Sequence, residues 1–257
     1  MNAQLIPSAE PFFLRADSDI GAVLTHGFTG ASKEMRWMGE YLQRQGINAL
    51  GPRLFAHATR PEDMLRARYQ DWLASLEDGY ALLSGVVSQI YLIGLSMGGA
   101  LSLTAASYLP VRGVITMSTP AYLPADWRLN HLNLLAKLQP FLPKSKEAPG
   151  SGWFDQQAWQ DHISYPRNPT IAIGELKKLL DEMQAALPEV RVPALLIHSR
   201  NDHYVAKDSM ERIYARLGSA EKQMLWVERS GHVIPRDAER ESAFRAAFEF
   251  IQQNSAK

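Results

Sequence analysis

IYLIGLSMGG, residues 90–99, sets one serine between an apolar run and a cluster of glycines. Ile90, Leu92, Ile93 and Leu95 have the composition of a buried strand, and MGGALSLTAASYL (97–109) that of a helix built from small residues. A strand that passes into a helix through Gly-x-Ser-x-Gly is a nucleophile elbow. The turn is so sharp that side chains two residues either side of Ser96 would strike neighbouring elements, which explains Gly94 and Gly98. Gly99 and Ala100 let the helix pack close to the sheet. The elbow lifts Ser96 Oγ above the sheet at a helix N-terminus, where the Met97 N–H can donate to a developing oxyanion. The competing reading is a glycine-rich turn with a capping serine.

Outward from this stretch, short apolar runs alternate with helical patterns. Strands are expected within GAVLTHGF (21–28), INALGPRL (47–54), GVITMST (113–119), PALLIHSRND (193–202) and KQMLWVERSGH (222–232). Helices are expected over 33–46, 62–85, 208–217 and 237–253. This alternation predicts an α/β fold with a mostly parallel sheet covered on both faces. Residues 120–192 interrupt it. They offer no good strand and are dense in proline (Pro120, Pro124, Pro140, Pro143, Pro149, Pro166, Pro169). Amphipathic helices are expected at 127–142 and 170–187, with an exposed loop at 144–152. The chain thus divides into a core, 1–119 and 193–257, and a helical cap inserted at 120–192.

Three further features bear on Ser96. HGFTG (26–30) ends a strand upstream of the elbow, where Phe28 can supply a second oxyanion N–H and Gly27 and Gly30 allow close approach. SRND (199–202) ends a late strand, where a carboxylate could hold an imidazole in one tautomer; Asp202 is the candidate, with Asp208 as a rival that should open the next helix. SGH (230–232) puts His232 in a strand-end loop downstream of that acid. His203 is badly placed to bond its neighbour Asp202, His198 reads as a packed strand residue, and His26 can support its own loop. His57, His131 and His162 read as surface or insertion residues. The order Ser96, Asp202, His232 differs from both serine-protease orders.

Composition narrows the classes. The chain has 257 residues, 46% hydrophobic and 21% charged, with 27 basic and 27 acidic side chains, so no basic field favours nucleic acid or an anionic membrane surface. Without cysteine there is no disulfide, thiolate nucleophile or cysteine metal site. MNAQLIPSAEPFFLRADSD lacks the pattern of a secretory signal, and no apolar run is long enough to span a membrane, so a soluble, cytoplasmic protein is expected.

At these residues the chain resembles the small bacterial carboxylesterases and monoacylglycerol lipases of the α/β-hydrolase superfamily. PFFLRA (11–16), HGFTG, GLSMGG (94–99), GVITMSTP (113–120), SRND and SGHVI (230–234) carry the likeness nearly end to end. The resemblance implies Ser96 as nucleophile, Asp202 and His232 as its partners, and Phe28 and Met97 as oxyanion-hole donors. It implies hydrolysis of short- to medium-chain acyl esters through an acyl-enzyme, with no cofactor and no metal. One departure concerns a Gly-His-Gly turn common in relatives, where this chain reads FAHA (55–58). Within the cap, the stripe Trp127, Leu129, Leu132, Leu134, Leu135, Leu138, Phe141 and Leu142 either docks the cap or lines an acyl pocket. A thioesterase, feruloyl-type esterase, acyltransferase or C–C hydrolase on the same scaffold, and a non-catalytic binding protein, are the alternatives.

Overall fold

The computed structural model describes residues 4–124, 132–144 and 152–255. In chain order the strands are β1 (Phe12–Leu14), β2 (Ile20–Thr25), β3 (Asn48–Gly51), β4 (Gln89–Leu95), β5 (Gly113–Met117), β6 (Phe141–Pro143), β7 (Arg167–Pro169), β8 (Ala194–Ser199) and β9 (Lys222–Val227). The helices are α1 (Lys33–Arg44), α2 (Tyr69–Ser84), α3 (Met97–Ala106), α4 (Leu132–Leu138), α5 (Gln156–Gln160), α6 (Thr170–Ala186), α7 (Ser209–Arg216) and α8 (Arg240–Ser255). The main sheet has seven strands in the order β1-β3-β2-β4-β5-β8-β9. All its pairs are parallel except β1 with β3. This is the mostly parallel, helix-flanked α/β-hydrolase architecture.

The period of two along each strand feeds two cores. Leu92, Val114 and Leu196 face one side, where α2, α3 and α6 pack. Ile93, Ile115 and Leu195 face the other, with Met35, Met38 and Leu42 of α1 and Phe244 and Ile251 of α8. The elbow strand β4 is central, so Ser96 emerges at the middle of the sheet. Every residue of α3 is buried, which is why its sequence shows no polar stripe.

Four expectations change. PFFL contributes β1, an antiparallel edge strand of 3 residues that the alternation did not reveal. The helix expected over 62–85 is split: Pro61–Arg66 is a 3₁₀ helix, Arg68 is extended, and Asp71 caps a fresh start by accepting the Arg68 N–H at 2.7 Å. The insertion does contain strands, since β6 and β7 pair antiparallel with Phe141 opposite Pro169. The helix expected at 127–142 is therefore only α4 among the described residues; Trp127 and Leu129 lie outside them, as do 145–151 of the expected loop.

Helix α6 ties the insertion to the core. Leu176, Leu179, Leu180 and Met183 sit in the same cluster as Ala100, Leu101 and Leu103 of α3, and each such side chain contributes about 1.5–3 kcal/mol on burial. Among the described residues no helix is long and apolar enough to cross a membrane, and no group of His, Asp and Glu is clustered to hold a metal ion.

Candidate active site

Ser96 joins β4 to α3 at φ 55° and ψ −116°, a conformation that costs an L-residue about 1–3 kcal/mol. Its neighbours impose it. The Ser96 N–H donates to Met117 O at 2.8 Å, and its carbonyl accepts from Gly99 N at 3.0 Å and Ala100 N at 3.2 Å. A Cβ at Gly94 would lie 2.1 Å from Gly98 O, and one at Gly98 would lie 2.2 Å from Thr25 O and 2.6 Å from His26 O. These obstacles are backbone atoms of packed elements. Gly98→Ala is therefore expected to destabilise by about 3 kcal/mol. The check is the urea midpoint at unchanged slope; a shift as small as that of an exposed helical Gly→Ala change would contradict the steric account.

Asp202 lies just past β8 and its side chain is 1% exposed. Its Oδ1 accepts the N–H groups of Tyr204 at 2.8 Å and Val205 at 3.1 Å. Its Oδ2 is 2.8 Å from His232 Nδ1 and 3.5 Å from His198 Nε2. Burial pushes the Asp202 carboxyl up, but the bonded His232 and the nearby His198 outweigh it and hold the group well below the ordinary carboxylate range. An ionised Asp202 fixes the proton of His232 on Nδ1 and leaves Nε2 as the basic nitrogen. The loop bearing His232 is braced from β8, whose Ser199 hydroxyl donates to Ser230 O.

The 26–30 loop folds over the elbow. His26 Nε2 accepts the Leu54 N–H at 3.2 Å, so its Nδ1 carries the proton and donates to Gly27 O at 3.0 Å. His26 supports its own loop, as expected. Phe28 packs edge-on against Trp72, with ring centroids 6.0 Å apart, and lines the cavity beside Ser96.

Ser96, Gly27, Phe28 and His232 form the floor of a cavity of about 420 Å³, within the range of small-molecule pockets. Leu123, Pro124, Ile173, Leu176 and Val205 give it an apolar wall; Lys144, His162, Ser164 and Asn168 give it a polar one. Much of both walls comes from the insertion. Among the described residues the leucine stripe does not line it. Leu132 is buried against Gly174 of α6, while Leu134 and Leu138 are 64% and 80% exposed.

The structure brings Ser96, Phe28, Asp202 and His232 to one place, with Met97 at the first position of α3. Asp208 stands apart on the surface, preceding α7 and bonded to Tyr122 and Arg212. His57 is not a surface residue. It is fully buried, stacked on Tyr165 and edge-on to His26 and Trp72, and burial, with His26 beside it, pushes its pKa down to about 3. The FAHA turn holds it there with Ala56 at φ 62° and Ala58 at φ 58°, a left-handed backbone that glycine adopts more easily. His162 is an insertion residue, as expected, but faces the cavity and bonds Glu34. Glu34 is a site residue the sequence did not single out. It sits in a helical pattern where a charge reads as solvent-facing.

The model of the family described as Serine aminopeptidase, S33, matches residues 20–239. The chain is 30% identical over 254 residues to the thermostable monoacylglycerol lipase of Bacillus sp. strain H-257, covering 98% of this chain and 97% of that one. It is 26% identical over 249 residues to a carboxylesterase of Bacillus subtilis strain 168, covering 96% and 98%. A solved structure described with LipS and LipT, two metagenome-derived lipolytic enzymes, matches with a TM-score of 0.88 at 32% identity, covering 97% of this chain and 100% of that one.

Proposed function

The chain belongs to the serine aminopeptidase S33 family, and from that premise we propose that it is a serine carboxylesterase of the monoacylglycerol-lipase kind, cleaving short- to medium-chain acyl esters. The observation that carries this reading is Ser96 at a strained elbow, opening on the same cavity as a histidine whose Nδ1 is 2.8 Å from a buried carboxylate. Ser96 Oγ attacks the ester carbonyl while His232 Nε2 takes its proton. Asp202 holds the ring and stabilises the imidazolium. The new oxyanion accepts the N–H groups of Phe28 and Met97, the latter a first-turn donor with no partner inside its own helix. Collapse of the tetrahedral intermediate expels the alcohol, which takes the proton from His232, and leaves an acyl-Ser96. Water, deprotonated by the same Nε2, repeats the addition and releases the acid. The proposed test is a panel of p-nitrophenyl esters, monoacylglycerols, acyl thioesters and aminoacyl anilides. Turnover of the oxygen esters above all others is expected, whereas turnover confined to the anilides would reverse the reading.

In this proposal residues 120–192 form a cap over the serine, at the carboxyl ends of the strands where α/β ligands bind. The apolar wall, and not the exposed leucines of α4, then selects the acyl chain. Ile173→Ala should lower kcat/KM for an eight-carbon ester about fivefold, close to 1 kcal/mol of lost contact, and spare the acetate. Leu134→Ala and Leu138→Ala should leave the whole chain-length profile unchanged. Kinetics on p-nitrophenyl esters of two to sixteen carbons decide it. Equal losses at every length for Ile173→Ala would remove that wall from the acyl pocket.

A further inference from the structure

Glu34 is buried in the first turn of α1, against the 26–30 loop. Its Oε2 accepts the Gly27 N–H at 2.8 Å, and its Oε1 is 2.9 Å from Nε2 of His162 in the insertion. The loop wraps closely around it, since a Cβ on Gly30 would lie 2.3 Å from Glu34 Oε1. Gly27 separates this carboxylate from the elbow: a Cβ there would meet Glu34 Oε2 at 3.4 Å and Ser96 Cβ at 3.5 Å. The Gly27 residue is thus clamped at both ends. Glu34 holds its N–H, while His26 at 3.0 Å and the Gly30 N–H at 3.2 Å hold its carbonyl. That carbonyl and the Phe28 N–H belong to one planar peptide, so whatever fixes one aims the other. The insertion end of the chain of contacts is itself anchored, because Asp161, next to His162, bonds Lys33 at 2.6 Å and Arg236 at 2.7 Å.

We propose that Glu34 is a positioning residue of the oxyanion hole: bridged to His162, it fixes the Gly27 turn so that the Phe28 N–H faces the substrate's carbonyl oxygen, and it sets the insertion and the hole together. This rests on the reading of Phe28 as an oxyanion donor. Burial alone would push the Glu34 carboxyl up, but the hydrogen bond and charge of His162, with help from His26 and the Gly27 N–H, hold it below its ordinary value. It therefore stays an ionised, strong acceptor.

Losing an oxyanion donor outright costs roughly 10²–10³ in kcat, and misaiming one forfeits part of that. Glu34→Ala should lower kcat about 30- to 100-fold with KM within about twofold. Glu34→Gln, which keeps an oxygen for the Gly27 N–H, should recover most of the loss. His162→Gln, which removes only the far partner, should fall between the two. The decisive readout is binding of a trifluoromethyl ketone, whose serine adduct puts an oxyanion in the hole. Its affinity should fall in step with kcat/KM, while a non-reactive ether analogue of the ester binds as in the wild type. If Glu34→Ala melts lower but keeps its kcat and ketone affinity, Glu34 only staples the loop and the positioning role is overturned, with the hydrolase reading intact. If Glu34→Ala does not fold, His162→Gln carries the test on the same criteria. Wild-type enzyme that neither hydrolyses esters nor binds the ketone would overturn both readings.

Discussion

Replacing Ser96 with alanine is expected to lower ester turnover by about 10⁶-fold, the scale seen when a serine hydrolase loses its nucleophile. The reason is chemical, since the hydroxyl lost is the one set at the elbow in the cavity that Ser96 and His232 both line. Some catalysis, roughly 10³–10⁴ above water, should persist from the oxyanion donors and substrate binding. The fold should be unaffected, because the strained backbone at position 96 is held by Met117, Gly99 and Ala100 through main-chain bonds that alanine keeps. Ser96→Gly separates the chemistry from the strain. It should be equally inactive, yet more stable than the alanine variant. Relief of about 1–3 kcal/mol at φ 55° exceeds the roughly 0.5–1 kcal/mol that glycine adds to the unfolded chain's entropy. A net gain near 1 kcal/mol corresponds to about 2–4 °C in a domain of this size. Intact-mass analysis after a fluorophosphonate probe, with thermal melts of both variants, checks each half. Full labelling of Ser96→Ala would refute the nucleophile. Equal melting temperatures would refute the strain.

The elbow was legible because its constraints are in part local. The obstacle at Gly94 is Gly98 within the elbow itself, so the sequence around Ser96 carries that part of the geometric argument, whereas the obstacles at Gly98 are the distant backbone oxygens of Thr25 and His26. The parallel strands were legible through their paired faces, Leu92 against Ile93 and Val114 against Ile115. Contacts made across the chain were not. Glu34 meets His162 at a separation of 128 residues, and in a one-dimensional pattern it looks like any solvated charge on a helix. His57 is buried because two alanines adopt left-handed backbone, which composition does not announce. Strands β1, β6 and β7 have three residues each, too short for alternation to register, and Pro143 and Pro169 mask the last two. The apolar cap stripe left two readings open, docking or pocket, and among the described residues the cavity is lined instead by Leu123, Ile173 and Leu176, which no helical spacing singled out.

Asp202→Asn tests the other half of the machinery, and about a 10⁴-fold loss in kcat is expected. The amide can still accept the Tyr204 and Val205 N–H groups, so the loop should keep its shape. Toward His232, however, it presents an N–H₂ group where the carboxylate had accepted. The ring must then turn its lone pair to Nδ1 and carry its proton on Nε2, the wrong tautomer for taking a proton from Ser96. A stability signature accompanies the kinetic one. A carboxyl whose folded pKa lies below its unfolded value stabilises the native state above the unfolded value, near 3.9, and loses that contribution as pH falls through the depressed folded value. The gap in unfolding free energy between wild type and Asp202→Asn should therefore hold steady from pH 7 to about 4 and narrow below it. Asp208→Asn is the matched control. Its carboxylate is exposed and paired with Arg212 and Tyr122, contacts worth little at a surface. Its kcat should stay within about twofold and its stability within about 0.5 kcal/mol. Steady-state kinetics on the two variants, with urea melts at several pH values, distinguish the two acids. If Asp208→Asn were the inactive one, the acid would have to reach His232 from a loop arranged quite differently. The 2.8 Å contact between Asp202 and His232 would then be structural only.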